Sequence, residues 1–141
     1  RRSACAVALH IRRGDYVASA SASAVHGTCT VDYYRRAMVH LENVLGRARF
    51  FVFSDDIAWA QENLGKEHEL VFADYSAPVK ACEDMHLISA CHHQIIANSS
   101  FSWWGAWLND NDSKIVVSPA QWFQAAHMDS SDLVPSSWLK I

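Results

Sequence analysis

Short apolar runs and longer amphipathic stretches alternate along this chain, separated by small or polar residues. The first run, Ala4 to Leu9, is continuous in apolarity, which predicts a strand covered on both faces. Residues 17–30 are rich in serine and alanine and carry no hydrophobic period, as a flexible loop would. From Val31 to about Leu45 the period becomes helical, with Tyr34, Met38, Leu41 and Leu45 on one face. Thr30 stands at its N-cap and Gly46 ends it. Arg49 to Phe53 predicts a second strand, and Ser54-Asp55-Asp56 opens a short helix that stops at Gly65.

The alternation continues. A third strand is expected over Leu70 to Ala73, a turn over Asp74 to Pro78, and a helix from about Ala81 to Cys91. Gln94 to Ala97 predicts a fourth strand, Phe101 to Leu108 an aromatic helix, and Lys114 to Val117 a fifth strand halted by Pro119. The tail from Gln121 to Ile141 has no clear period, and Trp122, Phe123, Trp138 and Leu139 are expected to dock it on the domain. Strands separated by helices and short loops imply an α/β fold with a parallel sheet. No internal repeat or second domain is visible in the 141 residues.

Three strand exits carry the chemistry. After the first strand comes His10-Ile11-Arg12-Arg13-Gly14-Asp15-Tyr16. A guanidinium matches a phosphate in two-point contact, and an extended backbone would point Arg12 and Arg13 to opposite faces. One arginine would then hold phosphate while the other pairs with a carboxylate such as Asp15; the plainer alternative is a surface salt bridge beside a solvated arginine. At the second exit, Ser54 or Asp55 could cap the helix while Asp56 complements its dipole. Two adjacent carboxylates exceed what a cap needs, and one could accept the N1 and N2 hydrogens of a guanine. At the third, Asn98-Ser99-Ser100-Phe101-Ser102 brings hydroxyls and backbone N–H groups to a helix N-terminus, an arrangement suited to phosphate.

Other clusters read differently. Trp103, Trp104 and Trp107 at helical spacing predict core more than a sugar platform. Cys82, His86, Cys91, His92 and His93 lack the paired spacing of a zinc site. Asp84 and His86 are either site residues or partners for each other. Half the residues are hydrophobic and 19% are charged, a folded composition, and the net charge of -3 offers no general attraction to nucleic acid or anionic membranes. An anion site must therefore be local. Four sparse cysteines suggest free thiols. No apolar segment is long enough to span a bilayer, and the N-terminus does not read as a secretory signal. Beginning at Arg1-Arg2 just before a core strand, the chain reads as part of a longer protein.

The segments HIRRGDY, FFVFSDD, DMHLISACHHQIIANSSFSWWGAWLN and IVVSPAQWF, in that order, resemble the C-terminal half of the α-1,2-fucosyltransferases of glycosyltransferase family 11. The block from Asp84 to Asn109 is specific, whereas HxRRxD is shared with α-1,6- and protein O-fucosyltransferases. The resemblance implies a Rossmann-like, GDP-fucose-binding domain over residues 1–141, the C-terminal half of a GT-B-type enzyme. It places Arg12 on the β-phosphate as the catalytic group, with Arg13 and Asp15 bracing the loop. His10 and Asp55 would approach the guanine, and Asn98, Ser99 and Ser100 would meet the diphosphate or the fucose. It implies inverting transfer to the 2-hydroxyl of a galactose-terminated glycan without a metal or other cofactor. A cytoplasmic or membrane-associated setting is expected, with any membrane contact made by parts outside these residues. A GDP-sugar-binding module without turnover, another HxRRxD fucosyltransferase (α-1,6 or protein O-linked) and a metal-binding interaction domain are the competing expectations.

Overall fold

The computed structural model describes residues 4–13, 29–73, 81–120 and 134–141, the side chain of Ala81 excepted. Gly14, Asp15, most of the expected loop over 17–30, the turn over 74–78 and the tail through Trp122 and Phe123 lie outside the described residues. Six strands and four helices are described. They are β1 (Cys5–Ile11), α1 (Val31–Leu45), β2 (Ala48–Ser54), α2 (Ile57–Asn63), β3 (Glu69–Phe72), α3 (Ala81–Ala90), β4 (His93–Ile95), α4 (Ser100–Trp107), β5 (Val116–Ser118) and β6 (Leu139–Lys140).

The strands form one sheet in the order β3-β2-β1-β4-β5-β6, and every pairing is parallel. This is the expected α/β, Rossmann-like architecture with flanking helices. Helix α1 keeps its predicted limits because both ends are set locally. The Tyr33 N–H donates to the Thr30 hydroxyl (3.1 Å), and Gly46 sits at φ 84° with its N–H on the Glu42 carbonyl (2.9 Å). Strand β6 was not expected: two residues are too few to show a period, and only pairing with β5 makes them a strand.

The pleat divides the core in two. Val7, Leu9, Ile11, Phe50 and Val52 face one side and pack against Tyr34, Met38 and Leu41 of α1 and against Ala60 of α2. Ala8 and Phe53 face the other, with Ile88 of α3 and Phe101 of α4. Both faces of β1 are thus covered, which is why its run is continuously apolar.

Trp138 is 6% exposed and closes a third cluster with Ile96, Ala106 and Val116, as the docked tail required. The tryptophan row departs from expectation. Trp103 packs partly on that cluster and stacks on Trp107 (centroids 5.3 Å apart, planes 8° apart), yet Trp104 and Trp107 are 49% and 51% exposed. Helical spacing fixes which side of α4 is aromatic but not which side meets the sheet, so it mistook an exposed face for core.

Candidate functional site: the strand exits at the switch point

Strand order reverses at β1: the chain builds outward through β2 and β3, then crosses to β4 on the other side. In open α/β sheets the crevice at the carboxyl ends of two such strands is where ligands bind. Ile11 pairs with Ser54, and Leu9 with Ile95, so all three polar exits issue from neighbouring strands at one edge.

The first two exits are joined directly. Arg12 Nε lies 3.6 Å from Asp55 Oδ2, both side chains about a third exposed (31% each). The Arg13 N–H donates to Asp55 Oδ1 at 2.9 Å. Arg13 Nε is 3.7 Å from Asp56 Oδ2, and its guanidinium carbon sits 4.1 Å from the ring centroid of Trp59. The carboxylate partners of the arginine pair among the described residues are therefore Asp55 and Asp56. Asp15, the partner named from sequence, lies outside them.

The capping assignment also changes. Asp56, not Ser54 or Asp55, is the N-cap of α2, accepting the Trp59 N–H at 3.2 Å. Ser54 accepts the Asp56 N–H (2.9 Å) and tightens the turn. A capping carboxylate one residue further along leaves Asp55 to face the arginine loop.

His10 connects the first exit to the third. Its ring lies 5.3 Å from that of Phe101 in α4. It is 6% exposed, and its Nδ1 has no hydrogen-bond partner among the described residues. Burial pushes its pKa down to about 4; Asp55 pulls the other way and Arg12 reinforces the fall. At neutral pH His10 is an uncharged imidazole, able to donate or accept but not to neutralise an anion.

At the third exit Asn98 and Ser99 are buried and Ser100 is exposed in the first turn of α4. Ser99 occupies the N-cap, yet its hydroxyl makes no capping bond. Its carbonyl accepts from the Trp103 N–H (3.0 Å) and from the Ser102 hydroxyl (3.3 Å). Behind it the Cys29 thiol, kept protonated by burial, reaches Asn98 Oδ1 at 3.7 Å. Trp59 and Cys29 are the residues that sequence reasoning missed. Neither carries a motif, and only the fold brings them to Arg13 and Asn98.

The remaining polar cluster serves the sheet. His92 Nδ1 accepts the Ala6 N–H (3.0 Å) and His93 Nδ1 the Ile115 N–H (2.9 Å), so the two imidazoles tie β4 to both neighbours at the opposite edge. All four cysteines are free thiols. His86 is exposed on α3, and Asp84 lines an apolar groove of about 490 Å³ with Phe51, Phe53, Val71 and Leu87. Among the described residues no helix is long and apolar enough to cross a membrane.

The glycosyl transferase family 11 model matches residues 1–141. The chain is 44% identical over 133 residues to the O-antigen biosynthesis glycosyltransferase WbnK of Escherichia coli, covering 94% of this chain and 43% of that protein. It is 42% identical over 141 residues to an Escherichia coli α-1,2-colitosyltransferase, covering 96% and 47%. It is also similar to galactoside α-(1,2)-fucosyltransferase 2 of Pongo pygmaeus, at 30% over 108 residues, 76% of this chain and 32% of that enzyme. The chain spans less than half the length of each. With this sheet, these exits and this match along its whole length, the chain belongs to glycosyl transferase family 11.

Proposed function

We propose that these residues form the donor-binding domain of an inverting α-1,2-fucosyltransferase. The domain holds GDP-β-L-fucose at the carboxyl ends of β1, β2 and β4, and fucose passes to the 2-hydroxyl of a terminal galactose. The observation that carries this reading is the junction of Arg12, Arg13 and Asp55 at the sheet's switch point, beside the N-terminus of α4.

Arg12 grips the β-phosphate. As the fucose–phosphate bond breaks, negative charge gathers on the departing GDP, and a fixed guanidinium is worth more there than in the ground state, about 3 kcal/mol for one good donor. That charge replaces the divalent ion that a less basic site would need. Asp55, oriented by the Arg13 N–H, accepts the guanine N1 and N2 hydrogens. His10, neutral in its buried seat, hydrogen-bonds the nucleoside without adding charge. Asn98, Ser99 and Ser100 offer side chains and first-turn N–H groups to the diphosphate or the sugar.

Titration calorimetry with GDP and GDP-fucose tests the assignment. Both should bind, and Arg12→Ala should lose at least tenfold in GDP affinity, about 1.4 kcal/mol. No heat from folded protein would refute the site, and near-native binding by the variant would remove Arg12 from the phosphate. The similarity to a colitosyltransferase favours a second reading, in which the donor sugar is colitose. Competition between the two GDP-linked sugars separates them.

A further inference from the structure

Arg13 is held from three sides by one short segment, Ser54 to Trp59. Its N–H is bonded to Asp55, its Nε faces Asp56 at 3.7 Å, and its guanidinium lies over the Trp59 indole at 4.1 Å. The Asp56 side chain is 43% exposed, so the ion pair by itself is weak. The indole is different. Trp59 is half-buried and packs against the main core, and its backbone N–H donates to the capping Asp56. It is a rigid platform fixed to α2. A cation over the face of tryptophan is attracted by the ring quadrupole, and the arginine stem gains contact along it.

We propose that Trp59 is a positioning residue of the donor site. It acts through Arg13, fixing the backbone just beyond Arg12, so that the Arg12 guanidinium meets the diphosphate without first being ordered. This rests on the reading of Arg12 as the phosphate-binding group. A flexible arginine must lose side-chain freedom on binding, and a stacked neighbour lowers that cost in advance. Trp59 does not touch the ligand, so its effect must vanish when Arg13 is removed.

A double-mutant cycle on GDP affinity reads this, using the full chain, Trp59→Leu, Arg13→Ala and the pair. Trp59→Leu is expected to weaken GDP three- to tenfold, and by less than twofold further once Arg13 is alanine. Trp59→Phe, which keeps an aromatic face, should stay within threefold of the parent chain. Should Trp59→Leu not fold, Trp59→Met replaces it as an unbranched apolar filler. Unchanged GDP binding by the leucine variant, or the same loss with and without Arg13, would overturn the proposal and leave the donor site standing. A parent chain that binds no GDP would overturn both.

Discussion

His10 shows how one side chain reports its surroundings. Its pKa falls from 6.5 to about 4 because burial penalises the imidazolium more than Asp55 favours it. Between those values the unfolded chain binds a proton that the folded chain refuses, so stability must fall as pH drops. The contribution is fully present above about pH 6.5 and lost toward pH 4, up to about 3 kcal/mol for a fully buried group. Melting curves from pH 7 to 4 should therefore fall less steeply for His10→Gln than for the parent chain. Parallel curves would place the acid loss at other groups, such as His93, whose pKa is also lowered by burial.

At the scale of elements, the contact between α3 and α4 depends on a missing side chain. A Cβ at Gly105 would lie 2.7 Å from Ile88 Cγ2 and 3.2 Å from Ile88 Cβ. Ile88 is buried against Ala8 and Phe53, so it has little room to withdraw. Gly105→Ala gains about 1 kcal/mol of helix propensity but forces the two helices apart, and overpacking of this kind costs about 1 to 3 kcal/mol. A net loss of stability in urea unfolding is expected; a stabilised variant would mean that Ile88 yields. Separation of these helices would also carry Phe101 away from His10.

For the molecule as a whole, ligand binding and folding are linked. GDP at 100 times its dissociation constant should stabilise the chain by about 2.7 kcal/mol, and a tenfold weaker Arg12→Ala by about 1.4 kcal/mol at the same concentration. Thermal melts with and without GDP check both figures, and equal shifts would show that Arg12 does not touch the nucleotide. The proposed donor site draws on the exits of β1, β2 and β4, so the shift should disappear wherever those strands separate.

Local chemistry made much of this protein legible in its sequence. Strand β1 followed from the apolar run Ala4 to Leu9, though it extends to Ile11, and helix α1 from a helical period over Val31 to Leu45, with Thr30 and Gly46 setting the helix ends. Arg12, Arg13, Asp55 and Ser99 stood out by their places just after apolar runs, whereas His10 became a candidate only through the family resemblance. What the sequence could not state was distance across the sheet. Strand order put residues 12, 55 and 99 at one edge and set Trp59 under Arg13, while the turn at Ser54 gave the capping bond to Asp56. It also left Trp104 and Trp107 on an outer face. Periodicity records which side of an element is apolar, whereas its neighbours are chosen only when the strands pair.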